Sequence, residues 1–343
     1  MEYLVALVLQ IALSAIICLA ATPIGNALGI MDKPDSLRKL HRGAVPLVGG
    51  LAILLPATLI GGGLSYMDGV GLHWVIAPVM IVLFVMGMLD DRQHLPPVVR
   101  LSMSLVMFSF AIILAPQLAL TGLDFGGGTR FVVPPFMGAM LTIVSLVGFQ
   151  YAFNMSDGAN GIASGTAMIW GVFFALAGTG TLSMLALLLV AGGAVFLIFN
   201  MRGRIFLGDS GAYGISAVMG LLGLAITSHA DSNLTNMQLM GLFLLPVIDC
   251  LRLIVSRLRA GRAPFSPDRE HLHHYLLRWL VSPTRTALAY WAMVAVPNAA
   301  GVLIGGLPGF MLTLILTLTV YRLVIVRTAS VPTPAAVVSG EIR

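Results

Sequence analysis

Eleven long apolar stretches, near residues 3–22, 46–66, 73–89, 99–116, 134–152, 162–178, 182–200, 211–228, 237–256, 284–303 and 309–326, limit what this chain can become. A helix needs about 20 residues to cross the hydrocarbon layer of a bilayer. Inside lipid the backbone must satisfy its own hydrogen bonds, which leaves helices for stretches as continuously apolar as these. The predicted fold class is therefore all-α: a polytopic integral membrane protein of about eleven transmembrane helices. Composition agrees, since 58% of the 343 residues are hydrophobic and only 10% are charged, against about 25% charged in soluble domains. The connections are too short to hold a soluble domain. Residues 1–330 are expected to form a single transmembrane domain, followed by a short cytoplasmic tail at 331–343. Cys18 and Cys250 fall in or beside apolar stretches, which argues against a disulfide framework or a thiolate metal site. No basic leader precedes the first apolar stretch, so a cleaved signal peptide is not expected.

The basic residues set an orientation. If the chain alternates sides, the connections near 23–45, 90–100, 153–161, 201–210 and 257–283, with the C-terminal tail, share one face. That face and its margins hold every one of the 19 Lys and Arg except Arg130. Basic residues stay in the cytoplasm, so the N-terminus is expected outside and the C-terminus inside. The sequence pI of about 9.6 then belongs to a basic cytoplasmic face that meets anionic headgroups and phosphorylated ligands, not to nucleic-acid binding.

Four of these connections carry more chemistry than a turn requires. Asn154, Asp157 and Asn160 recur every third residue in a polar island, and share a face if the island is helical. Gly158 and Gly161 would let backbone and ligand approach closely. Asp90 and Asp91 end the third apolar stretch, where two carboxylates repel one another and oppose the helix dipole unless a cation or partner compensates. Arg100, nine positions after Asp91, is placed to meet a phosphate oxygen. Asp209 stands between glycines at a helix start; an N-cap is the ordinary reading, and a Mg²⁺ ligand is the alternative, since Mg²⁺ takes one or two carboxylates with waters and phosphates. Phe206 is an apolar side chain in the same polar connection and suits either packing or stacking on a base.

The basic connections read similarly. Lys33, Arg38, Lys39 and Arg42 serve either as a positive-inside anchor or as a phosphate contact, with Gly49 and Gly50 opening the next helix to close approach. The last large connection runs through Arg269, Glu270, His271, Leu272, His273 and His274. Zinc is disfavoured because the histidines are badly spaced on a helix: His271 and His274 lie about 60° apart while His273 points elsewhere. Imidazoles that bind sugar hydroxyls and phosphates fit better. Carboxylates and arginines together imply a metal-bound anion, and a diphosphate held through Mg²⁺ suits them best. Phosphoryl transfer relies on positioning and charge neutralisation. An acceptor phosphate monoester, with a second pKa near 6, needs no strong general base. A transporter or flippase is the rival class, and would spread its polar residues through the bilayer midplane.

These motifs resemble the polyprenyl-phosphate N-acetylhexosamine-1-phosphate transferases over nearly the whole chain. The stretches MDKPDSLRKLHRGAVPLVGG, Asp90-Asp91, FNMSDGANG, FLGDSG and PFSPDREHLHH carry the resemblance. The last is the most specific, and points to the WecA-type branch rather than the MraY-type branch, which transfers phospho-MurNAc-pentapeptide. The resemblance implies a cytoplasmic active site in the bacterial inner membrane and Mg²⁺ as cofactor, with Mn²⁺ as a substitute. It implies attack of undecaprenyl phosphate on the β-phosphate of a UDP-N-acetylhexosamine, most simply UDP-GlcNAc, with release of UMP. That reaction would begin a cell-surface glycan; the bilayer is the third partner, and a homodimer is left open. The implied catalytic positions are Asp90, Asp91, Asp157 and His271, with Asp209 and Asn154 at the metal. Asn160 and Phe206 would hold uracil. Arg42, Arg100, Arg269, His273 and His274 would contact the phosphates and sugar. Many bacterial relatives carry aspartate where this chain has Asn160, which weakens any carboxylate role there; asparagine still hydrogen-bonds uracil.

Overall fold

The computed structural model describes residues 1–33, 43–67, 71–126, 129–229, 232–263 and 270–328. Each of the eleven apolar stretches is helical. Among the described residues, nine helices are long and apolar enough to cross a membrane: α1 (Glu2–Leu19), α3 (Gly49–Met67), α4 (His73–Gln93), α5 (Pro97–Leu114), α6 (Pro135–Ser156), α8 (Gly180–Asn200), α9 (Gly208–Ser228), α13 (Pro283–Ile304) and α14 (Gly306–Thr328). The stretch near 237–256 is a bent pair, α10 (Asn236–Leu242) and α11 (Leu244–Arg259), with axes 62° apart. The stretch near 162–178, α7 (Ile162–Ala177), has 16 residues, and at about 1.5 Å per residue it falls short of the ~30 Å hydrocarbon layer. Two short helices, α2 (Ala21–Leu28) and α12 (Leu272–Leu280), lie between the longer ones in sequence.

Among the described residues, strand is confined to two small antiparallel pairs. β1 (Met31–Asp32) pairs with β2 (Val45–Pro46), and β3 (Gly122–Gly126) with β4 (Thr129–Val132). The second hairpin closes the end of the bundle near α10 and α14.

Helix α9 is the hub. Most of its residues from Ser210 to Ile226 are buried, and it packs against α3, α4, α6 and α7. Small residues make that possible, because lipid supplies no hydrophobic drive between helices and close packing must do the work. At Gly50 a Cβ would overlap the α-carbon of Gly211, and at Gly87 it would press on the backbone of Asp209 and Ser210. The close approach expected at Gly50 therefore exists, and helix α9 is what approaches.

The break between α10 and α11 has a visible cause of tolerance. The carbonyl of Leu242, freed from helical bonding, accepts from Trp170 Nε1 at 2.7 Å and from Asn298 Nδ2 at 3.4 Å. Phe243, at the bend, stacks on Phe149 with ring centroids 3.9 Å apart. A membrane helix can break where side chains take over the released backbone groups.

Candidate active site

Helices α3, α5 and α9 begin, and α4 and α6 end, at one face of the bundle. Asp90 and Asp91 belong to the last turn of α4 rather than to a loop. Asp90 is 2% exposed. Its Oδ1 accepts the Leu95 N–H at 2.7 Å, which the left-handed residue His94 (φ 51°) turns back toward the helix. Its Oδ2 pairs with Arg100 at 2.8 Å and accepts from Tyr213 Oη at 3.4 Å. Arg100, expected at a substrate phosphate, is here the counter-ion of Asp90.

Asp91 resolves the conflict with the helix dipole. Its Oδ1 accepts the Asp209 N–H at 2.8 Å and its Oδ2 the Ser210 N–H at 3.0 Å. Those are first-turn donors of α9, which have no acceptor within their own helix, and the positive end of α9 offsets the negative end of α4. Gly208 (φ +75°) makes this contact possible, because a side chain there would meet the Asp91 carboxylate. The N-cap function that the sequence suggested for Asp209 thus falls to Asp91, from another helix. The N-cap residue itself, Leu207, supplies no side-chain bond, and the Asp209 carboxyl group stands among Asp91, Asp90, Asn154 and Arg100. Asn154, in the last turn of α6, donates to Tyr213 Oη at 3.4 Å.

Asp157 follows α6 directly. It keeps some contact with solvent, yet the surrounding protein and then the charge of Asp91 push its carboxyl up to about 7. Four carboxyl groups, from Asp90, Asp91, Asp157 and Asp209, therefore gather here, and among the described residues the guanidinium of Arg100 pairs with Asp90. Such an excess of enclosed negative charge suits a divalent cation. Among the described residues no three acidic, imidazole or thiol groups already converge as a complete metal cage; a Mg²⁺ ion that keeps waters and phosphate oxygens needs no such cage.

Asn160 lies beside the turn that carries Phe206, its amide nitrogen 3.7 Å from where a Cβ of Gly203 would stand. Asn200 ties these segments together, accepting the Gly161 N–H at 2.6 Å and donating to the Ile205 carbonyl at 2.9 Å. Phe206 is half-buried, and its backbone joins Pro46 and Gly49 at 3.0 Å each. Arg42 and Arg269 lie outside the described residues.

The histidines depart from the helical expectation. His271 is extended (ψ 152°) and precedes α12, so it does not share a helical face with His274. His273 is the inward residue, 3% exposed. Its ring lies against Gly158, where a Cβ would overlap it, so the neighbour that this glycine admits is an imidazole of the protein. Rings 271 and 273 stack at 5.3 Å with 14° between their planes. Burial, and then the charges of His274 and His271, hold His273 well below the usual imidazole range, so it is neutral. His273→Ala is accordingly expected to lower turnover by more than His274→Ala, because it empties the enclosed place against Gly158 and beside the His271 ring. Parallel steady-state kinetics check this, and the reverse ranking would sink it.

Fold and site together define a polytopic membrane protein with an acidic and imidazole-lined site at one end of its helix bundle. Residues 73–228, a little under half of the chain, match the model of glycosyl transferase family 4. The matched span takes in Asp90, Asp91, Arg100, Asn154, Asp157, Asn160, Phe206 and Asp209, but not the histidine segment. Among curated relatives, the undecaprenyl-phosphate α-N-acetylglucosaminyl 1-phosphate transferase of Salmonella typhi is 28% identical over 270 residues, covering 75% of this chain and 72% of the relative. Its namesake from Escherichia coli K12 is 27% identical over 269 residues, with the same coverage. The decaprenyl-phosphate N-acetylglucosaminephosphotransferase of Mycolicibacterium smegmatis is 25% identical over 290 residues, covering 76% and 71%.

Proposed function

We propose that this protein transfers GlcNAc-1-phosphate from UDP-GlcNAc to undecaprenyl phosphate, forming undecaprenyl-diphosphate-GlcNAc and UMP at the cytoplasmic face of the bacterial inner membrane. The observation that carries this reading is the acid cluster around the joined ends of α4 and α9, set where an apolar lipid tail lies along the bundle and its phosphate reaches the helix ends. An oxygen of the lipid phosphate attacks the β-phosphorus of the donor. The bond from that phosphorus to the bridging oxygen breaks, and UMP leaves with the bond's electrons.

Asp209 and Asn154 would hold Mg²⁺, which when bound supplies charge neutralisation for the diphosphate. The chain's own residues position the reactants. Arg100 neutralises Asp90 and keeps it from repelling the acceptor phosphate. Asn160 and Phe206 flank the uracil, by hydrogen bonding and stacking. His271 and the neighbouring imidazoles meet the sugar and diphosphate. Gathering of the carboxylates at helix ends, rather than along a path through the midplane, favours catalysis over translocation.

The one-sided Lys and Arg distribution supports an N-terminus outside and a C-terminus inside. A single experiment tests orientation and donor together. Sealed inverted membrane vesicles containing the protein should release UMP from impermeant UDP-GlcNAc in the presence of undecaprenyl phosphate and Mg²⁺. Right-side-out vesicles should not, and UDP-MurNAc-pentapeptide should be inert in both. Equal turnover in sealed right-side-out vesicles would reverse the topology. UMP from the MurNAc donor alone would place the chain in the other branch.

A further inference from the structure

Asp249 lies outside the segment matched by the family model and outside the acid cluster, yet it is 3% exposed and engages four residues. Its Oδ1 accepts from Tyr321 Oη at 2.7 Å, from the Leu272 N–H at 3.1 Å and from Arg252 at 3.3 Å. Its Oδ2 meets His271 Nδ1 at 3.2 Å and the same Leu272 N–H at 3.2 Å. Arg252 continues the cluster to Tyr321 Oη and to the carbonyl of Glu270. Elements α11, α12 and α14 thus converge on one carboxylate.

Two of these contacts have consequences beyond packing. Leu272 opens α12, and its N–H has no acceptor within the helix; a carboxylate there satisfies the donor and complements the helix dipole. An ionised carboxylate only accepts hydrogen bonds, so the His271 nitrogen facing it must carry the proton. Nε2, across the ring, is then the nitrogen open to a ligand, and the ring is 12% exposed rather than sealed. A neutral ring so held accepts from a sugar hydroxyl or amide through Nε2. A protonated ring donates from Nε2 to a phosphate oxygen.

We propose that Asp249 is the positioning residue of the histidine segment: it fixes where α12 begins and holds His271 in the tautomer that presents Nε2 to the donor substrate. The identity of that donor rests on the function proposed above; the tautomer does not.

Asp249→Asn separates the two roles. The amide oxygen still accepts the Leu272 N–H, which leaves the amide nitrogen to face His271 and forces a bare Nδ1. The ¹⁵N-histidine spectrum of purified protein in detergent, at about pH 8.5 where an ordinary imidazole is neutral, reads this without any turnover. The His271 signal is identified by its loss in His271→Gln. The proton should sit on Nδ1 in the wild type and on Nε2 in Asp249→Asn; a bare Nδ1 in the wild type overturns the proposal.

Kinetics give the second arm. With UDP-GlcNAc, Asp249→Asn should lose about ten- to a hundredfold in kcat/KM for the donor, with the KM for undecaprenyl phosphate unchanged. The double variant Asp249→Asn/His271→Ala should be no slower than His271→Ala alone, because both changes remove one function. Multiplying losses would mean that Asp249 acts through the fold and not through His271, and overturn the proposal. Wild-type protein inert toward UDP-GlcNAc would count against the proposed donor only, leaving the spectrum to decide about Asp249.

Discussion

Asp209→Asn is expected to leave the protein folded while cutting turnover by about a hundred- to a thousandfold, the scale of losing one essential electrostatic contact at a reacting phosphate. Folding survives because the first-turn N–H groups of Asp209 and Ser210 are held by Asp91. An amide of the same shape takes its place beside Asp91 and Asp90 without adding charge. The apparent melting temperature in detergent is therefore expected to match that of the wild type. Raised Mg²⁺ should rescue turnover poorly, because asparagine keeps one ligating oxygen without the charge. Near-normal UMP release at ordinary Mg²⁺ would move the metal away from Asp209.

Asp91→Ala is expected to fail differently, by losing stability and turnover together. It leaves the N–H groups of Asp209 and Ser210 without an acceptor in an enclosed place, at about 1–3 kcal/mol each. The apparent melting temperature should fall on the order of 5–10 °C. Asp91→Asn should fall by less, because the amide oxygen can still take one of the two donors. An alanine variant that melts like the wild type would show that the clamp contributes nothing.

These two aspartates mark how far the sequence could be read. The apolar stretches foretold the helices because length and hydropathy alone decide a membrane crossing. The carboxylates stood out because charge at a bilayer boundary needs a reason. Pairing did not follow, since an aspartate at a helix end does not announce which distant N–H it accepts. Gly208 was the available signal: a glycine just before Asp209 hinted that something had to come close. The histidines misled for a related reason. Angular spacing presumes that all three lie on a helix, and His271 precedes α12 in an extended conformation. Asp249 stands inside an apolar stretch, and its partners Tyr321 and Leu272 lie well away in sequence. Tyr213 and Asn200 were invisible for the same cause: each acts by joining segments that sequence order keeps apart. The bend at Phe243 did have a signal, since Pro246 cannot donate to the Leu242 carbonyl four residues earlier, but what stabilises it, Trp170 and Asn298, belongs to other helices.

The clamp between α4 and α9 also bears on biogenesis. Its partners are 118 and 119 positions apart in sequence. During synthesis α4 reaches the translocon long before α9 exists, so Asp91 waits at the aqueous boundary with no backbone donor to bind. Repulsion from Asp90 and the cost of burying charge hold that end of α4 toward water, which fixes the depth of the helix before its neighbour arrives. Insertion of α9 then completes the pairing and closes the acid cluster in one step. A nascent chain stalled before Ser210 therefore holds four inserted helices or more and no site, which makes catalytic competence a late checkpoint on the order in which the helices were laid down.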